Sequence, residues 1–60
     1  MPATEKQANF IEDLLEKKGW TEDRLLSEAE DYYGREFHHW EEDECSRQDA
    51  GEMIELLLEY

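Results

Sequence analysis

Branching at the β-carbon is almost absent from this chain, and that absence decides which secondary structure it can form. Only Thr4, Ile11, Thr21 and Ile54 are β-branched, and the sequence contains no valine. Glutamate, leucine, lysine, glutamine, arginine and alanine fill most other positions, and these residues favour helices over strands. The sequence therefore predicts an all-α fold and excludes a β-barrel or a β-sandwich.

The first helix is predicted over residues 5–18 because both of its ends carry sequence signals. Thr4 followed three residues later by Gln7 is typical of a capping box, in which two side chains satisfy two backbone N–H groups reciprocally. Gly19 ends the helix because glycine readily adopts the left-handed conformation of a C-cap, and Trp20 then folds back onto the last turn. The predicted stripe of this helix recurs at intervals of three and four residues and is widened by Phe10; it consists of Ala8, Ile11, Leu14, Leu15 and Lys18.

Two further helices carry similar signals. Thr21 caps the second helix, and Gly34 ends it near residue 33. Ser46 starts the third helix, with Asp49 as an acidic variant of the capping box. The predicted buried stripes are Leu25, Leu26, Ala29, Tyr32 and Tyr33 in the second helix, and Ala50, Met53, Ile54, Leu57 and Leu58 in the third.

The stretch between these helices, residues 35–45, has no clear helical period. Phe37 and Trp40 lie three residues apart, but the four consecutive acids that follow repel one another. We expect a short irregular segment whose turn places Phe37 or Trp40 in the core. A chain of 60 residues allows one small domain, which buries only about 60% of its unfolded surface. The prediction is a single acidic three-helix bundle over residues 1–60.

The charge of the chain is strongly unbalanced. Asp and Glu number 18 against 6 Lys and Arg, which gives a net charge of -12. This charge disfavours direct binding to nucleic acid or to anionic membranes, and the longest apolar run, Leu56 to Leu58, is far too short to span a bilayer. Three explanations stay open: solubility, adaptation to high salt as in halophilic proteins, and mimicry of DNA. Compact packing predicts a diameter of roughly 27 Å, over which the charge approaches that of a duplex.

One candidate binding surface combines aromatic and acidic residues. Aromatic rings next to carboxylates suit a basic protein partner, whose Arg or Lys can meet both groups. A core role for the same aromatic residues is the alternative, and base stacking is disfavoured because the neighbouring charges are negative. The residues of this candidate surface are Tyr33, Trp40, Glu41, Glu42, Asp43 and Glu44.

A second candidate surface lies at the end of the third helix. Leu56, Leu57, Leu58 and Tyr60 place apolar groups on more than one face of that helix. Two interpretations stay open. Either Leu56 and Tyr60 contact a partner or a second copy of the chain in a homodimer, or the extra leucine covers the third side of the core.

The sequence offers little for catalysis or for metal binding. His38, His39 and Cys45 lie close to the acidic residues 41–44, but adjacent histidines point in different directions and the thiol stands alone. Carboxylates beside Cys45 raise the pKa of a thiol and suppress the thiolate that a nucleophile needs. We therefore expect no enzyme activity, no metal and no cofactor.

The spacing of caps, glycines and core positions resembles a known family of small helical modules. The pattern runs Thr4-x-x-Gln7-x-x-x-Ile11-x-x-Leu14-Leu15, then Gly19, Tyr33-Gly34 and Ser46-x-x-Asp49-Ala50-Gly51-x-x-Ile54-x-x-Leu57. These modules form C-terminal tails of phage and prokaryotic DNA recombination proteins, including single-strand annealing proteins, and also occur as short uncharacterised proteins. The resemblance implies a docking module that recruits DNA-processing proteins and has no catalytic residue.

These observations lead to one functional hypothesis and one alternative. The hypothesis is a non-catalytic protein–protein interaction module with a basic partner surface, linked to recombination or replication proteins. The alternative is an acidic inhibitor that mimics DNA and occupies the groove of a nucleic-acid-binding protein, as phage counter-defence proteins do. The single cysteine and the lack of a signal-peptide pattern favour the cytoplasm.

Overall fold

A computed structural model describes residues 2–60 and contains three helices. Helix α1 spans Glu5–Lys18, α2 spans Glu22–Tyr33 and α3 spans Arg47–Glu59. Among the described residues the only β-type pairing is an isolated antiparallel bridge between Pro2 and Ser46. The predicted all-α fold is confirmed, and an irregular segment separates α2 from α3 as expected.

The helices begin and end where their capping residues predict. The backbone N–H of Gln7 donates to Thr4 Oγ1, and the backbone N–H of Thr4 donates to Gln7 Oε1, both at 3.1 Å. Gly19 and Gly34 adopt left-handed φ angles of 72° and 70° at the ends of α1 and α2. The backbone N–H of Trp20 returns to Leu15 O at 3.0 Å, which confirms that the chain folds back onto the last turn of α1.

The start of α3 differs in one detail from its prediction. Ser46 Oγ accepts a hydrogen bond from the backbone N–H of Asp49 at 3.0 Å, as an N-cap should. The Asp49 carboxylate, however, accepts from the guanidinium of Arg35 at 2.7 Å. The side chain that was expected to complete a local capping box instead ties the irregular segment to α3.

The three helices run up, down and up. At one end, Gln7 Nε2 donates to Arg47 O at 3.1 Å, so that the starts of α1 and α3 lie together. At the other end, the rings of Trp20 and Tyr60 meet edge to face at 5.0 Å. Helix α2 runs opposite to α3, because the Tyr33 hydroxyl donates to Glu52 O in the first half of α3. Residues 2–60 measure 27 × 25 × 17 Å, and the longest extent agrees with the expected diameter.

The core is apolar, and no polar or charged residue of the described chain is buried. Helix α3 contributes more buried side chains than α1 or α2 does. The segment 34–46 adds the buried side chains of Phe37, Trp40 and Cys45. Three predicted stripe residues are wrong, because Phe10, Tyr32 and Leu58 are exposed. In α3, Leu56 takes a core position in place of Leu58. The buried residues are Ile11, Leu15, Leu25, Ala29, Phe37, Trp40, Cys45, Ala50, Met53, Leu56 and Leu57.

The irregular segment 34–46 is held to α2 and to the N-terminal residues by specific bonds. The backbone N–H of Phe37 donates to Glu30 Oε2 at 3.2 Å, and the backbone N–H of Ala3 donates to Cys45 O at 2.8 Å. Phe37 and Trp40 are both buried, whereas the sequence predicted that one of them would be. No helix within residues 2–60 is long and apolar enough to cross a membrane.

Candidate interaction surfaces

The acidic run, defined as Glu41, Glu42, Asp43 and Glu44, lies on two consecutive turns of the irregular segment. All four carboxylates are exposed. The turns are closed by backbone bonds from Glu42 N to His39 O at 2.9 Å and from Cys45 N to Glu42 O at 3.1 Å. The acidic run therefore lies on the surface of the molecule.

Trp40 does not belong to that surface. Its side chain is only 2% exposed and packs in the core, so its predicted contact with a partner is wrong. The ring is covered by His39, which stacks on it at 4.0 Å with an interplanar angle of 21°. The indole Nε1 is buried, and no group of the described residues accepts a hydrogen bond from it. Trp40 thus anchors the segment that carries the acidic run.

His39 is positioned by three neighbours, and its two nitrogens have different roles. Nδ1 accepts a hydrogen bond from the backbone N–H of Glu41 at 3.1 Å, and Nε2 lies 3.0 Å from Glu22 Oε1. A nitrogen that accepts from an N–H carries no proton, so these contacts fit the neutral tautomer with the proton on Nε2. His39 therefore links the acidic run to the start of α2 and serves as a structural residue here.

Tyr33 is half-buried, and its contacts point to a structural role. The hydroxyl donates to Glu52 O at 3.1 Å, and the ring lies 5.6 Å from that of Phe37. Arg35 continues the same cluster, because its guanidinium pairs with Asp49 and Glu52 and lies 4.1 Å over the Phe37 ring. Only part of the Tyr33 ring is exposed to a partner. Because Trp40 is buried, this part is all that remains of the aromatic residues predicted for the first candidate surface.

The apolar end of α3 differs from its prediction in which leucine is exposed. Leu56 is 3% exposed and belongs to the core, which corrects its assignment as a partner-binding residue. Tyr60 is 62% exposed, as that assignment requires, and Leu58 is equally exposed. Tyr32 from α2 is 64% exposed, which corrects its placement in a buried stripe.

Tyr32, Leu56 and Tyr60 border a surface groove between α2 and α3, which we call the α2–α3 groove. Its volume is about 360 Å³, and it is lined by Tyr32, Leu56, Glu59 and Tyr60. Leu56 forms the apolar floor, and the two tyrosines form the exposed walls. A groove of this composition can accept an apolar or planar group, with one carboxylate at its edge.

Carboxylates surround the groove. Glu28 raises the pKa of the Tyr60 phenol, first through a hydrogen bond and then through its charge, and Asp31 raises it further. Burial raises the pKa of Tyr33, and Glu52, Glu55 and Glu59 add to that shift. Negative potential therefore extends over the exposed rings.

Cys45 carries no catalytic signal. Its thiol is fully buried and lies 3.7 Å from Ser46 O. Burial, and secondly the Asp49 charge, raise its pKa from the ordinary value of 9.0 to about 11. A thiolate is thus strongly disfavoured. Within residues 2–60, no three His, Cys, Asp or Glu side chains are grouped to hold a metal ion.

The raised pKa of Cys45 predicts a loss of stability at alkaline pH. Because the folded state holds the proton more tightly, this contribution is complete below about pH 9 and is lost as the pH rises towards 11. We expect the free energy of unfolding to fall by about 2 kcal/mol between about pH 8 and about pH 10.5 through this thiol alone. Urea denaturation at both pH values should show a smaller fall for Cys45→Ala. An equal fall in both proteins would contradict the assignment.

Comparison with known proteins gives no relative. No protein-family model matches the chain, and neither a curated protein nor a solved structure is similar enough to it to count as a match. The function must therefore be inferred from the charge, the two surfaces and the groove.

Proposed function

We propose that this chain is a non-catalytic protein–protein interaction module that binds a basic protein surface. The observation that carries the proposal is the placement of its charge. Of the 18 carboxylates, all are exposed except Glu28, Asp49 and Glu52, which are half-buried. A cationic partner is attracted by such a surface from a distance, and a polyanion is repelled.

Internal ion pairs neutralise little of this charge. Among the described residues, the pairs with Lys or Arg join Lys17 to Asp13 and Arg35 to Asp49 and Glu52. The remaining carboxylates, the acidic run included, have no Lys or Arg side chain of the described chain within salt-bridge distance. Within the acidic run, only histidine nitrogens come close, His38 at 3.8 Å from Glu42 and His39 at 3.9 Å from Glu41. A basic partner would supply the missing positive charges.

The proposal extends to the kind of system in which the module works. The resemblance to tails of recombination proteins favours docking onto prokaryotic or phage proteins that process DNA, in the cytoplasm. Such proteins carry basic surfaces because they bind phosphate backbones. The pattern of caps and core positions supports this extension, and the comparisons with known proteins do not bear on it.

A DNA-mimic inhibitor is the second candidate, favoured by charge density. Duplex DNA carries about one charge per 1.7 Å of axis, or about 16 charges over the length of this molecule. The chain places a net charge of -12 within a longest extent of 27 Å. The net charge of the chain is close enough to that of a duplex of the same length for the chain to compete for a nucleic-acid-binding groove.

The test is retention of basic proteins on the immobilised chain, followed by elution. An adaptor that docks on a basic patch outside the nucleic-acid groove should hold its partner when duplex DNA is added, whereas a decoy should release it, because DNA competes for the same groove. Raising the salt should weaken both modes and should abolish the decoy mode. Circular dichroism at both salt concentrations checks that the chain stays folded.

A matched pair of variants shows whether the acidic run takes part. The double variant E41Q/E44Q removes two charges from the run, and E12Q/E16Q removes two exposed charges from α1. Retention of the identified partner should fall further for the first variant. Failure of the wild-type chain to retain any basic protein at low salt would refute the proposed function.

A further inference from the structure

The α2–α3 groove offers exposed aromatic rings that no residue within 2–60 covers completely. Tyr32, Leu58 and Tyr60 are the three most exposed large apolar side chains among residues 2–60. They lie within the last turns of α2 and α3, and two of them line the groove. Exposed apolar groups that cluster in this way mark interaction sites.

The charge around the groove restricts its occupant. Glu59 lines it directly, and Glu28 and Asp31 act on the Tyr60 phenol at its edge. Arg24 is the nearby cation, and its guanidinium already lies 4.3 Å over the Trp20 ring. A second copy of the chain would bring another net charge of -12 to this place, which like-charge repulsion opposes.

The chain itself shows which cation suits aromatic rings with carboxylates beside them. Arg35 lies 4.1 Å over Phe37 while it pairs with Asp49 and Glu52. A planar guanidinium can stack on a ring and donate to carboxylates at the same time, and the ammonium of lysine does this less well. The groove presents the same combination of rings and carboxylates to a guanidinium from outside.

We propose that the α2–α3 groove binds an arginine side chain from a basic segment of the partner protein. The guanidinium lies against the Tyr32 and Tyr60 rings and donates to Glu59, and its aliphatic stem covers Leu56. This inference rests on the proposed function and specifies it, because it names the residue type that the acidic surface recognises.

The inference can be tested with two synthetic peptides of equal length, in which arginine or lysine alternates with alanine. Fluorescence anisotropy at low salt measures their affinity for the wild-type chain. We expect the arginine peptide to bind about three-fold more tightly, since stacking on the rings favours the guanidinium. Equal affinity, or tighter binding of the lysine peptide, would overturn the inference.

Matched variants locate the binding. Tyr32→Leu should remove the preference for arginine, whereas Phe10→Leu, which replaces an exposed aromatic residue of α1, should keep it. Glu59→Gln should weaken binding of the arginine peptide more than Glu44→Gln in the acidic run. Circular dichroism confirms that each variant is folded, and all four side chains are exposed.

The outcomes separate the groove from the general function. If both peptides bind and salt weakens them, but Tyr32→Leu behaves like Phe10→Leu, the groove inference fails and the proposed function stands. If neither peptide binds at low salt, both fail. If the free chain sediments as a dimer that Tyr32→Leu dissociates, the groove belongs to a second copy and the inference is wrong.

Discussion

Replacing Trp40 by alanine is expected to unfold the protein. The indole is the largest fully buried side chain, and its removal leaves a cavity that the thin bundle cannot close. Truncation of a buried tryptophan costs about 3–5 kcal/mol, and a domain of this size has a total stability of about 3–9 kcal/mol. Thermal and urea denaturation followed by circular dichroism should show Trp40→Ala unfolded, or close to unfolded, at room temperature.

Two further variants separate packing from hydrogen bonding at this position. Trp40→Phe keeps a ring for His39 to stack on and removes the indole N–H, which has no acceptor among the described residues. Its loss of stability should therefore be smaller than that of Trp40→Ala, because a buried unpaired donor is itself costly. Phe10→Ala alters an exposed ring and should cost about 1 kcal/mol or less. A stable Trp40→Ala protein would show that the irregular segment is not part of the core.

The helices could be predicted from the sequence because their end signals are local. Thr4, Thr21 and Ser46 each accept a hydrogen bond from the backbone three residues later. Gly19 and Gly34 stop their helices in the left-handed conformation. Each of these signals depends on residues adjacent in the chain, so no knowledge of the tertiary structure was needed.

The irregular segment could be predicted only in outline, since its contacts join residues distant in sequence. The burial of both Phe37 and Trp40 depends on bonds from Phe37 N to Glu30 and from His39 to Glu22. Asp49 was predicted to cap its own helix, and only the folded chain places Arg35 beside it. Of the two aromatic residues predicted for the first candidate surface, Trp40 therefore lies in the core and Tyr33 is half-buried.

The acidic run was the most predictable part of the candidate sites, because four consecutive carboxylates are solvated almost regardless of the fold. The groove was not predictable, since it needs Tyr32 from α2 beside Tyr60 from α3. A helical stripe extends over a range of angles, and residues at its edge can lie on either side of the boundary with solvent. Tyr32 is such a residue.

The three consecutive leucines of α3 provide the sharpest test of that boundary. Neighbouring residues of a helix differ by about 100° in direction, so three in a row cannot all face one core. Leu56 and Leu57 are buried, and Leu58 is exposed. We expect Leu56→Ala to lower the free energy of unfolding by about 2–5 kcal/mol, as truncation of a buried leucine does.

Leu58→Ala is the matched control for this prediction, because it removes the same atoms two residues later. Its cost should be about 0.5 kcal/mol, typical of an exposed position, while its effect on dimerisation or partner binding reports on the surface. Urea denaturation of the three proteins measures the two stability changes directly. Equal losses would contradict the different burial of Leu56 and Leu58. They would also remove the basis for Leu56 as the apolar floor of the α2–α3 groove.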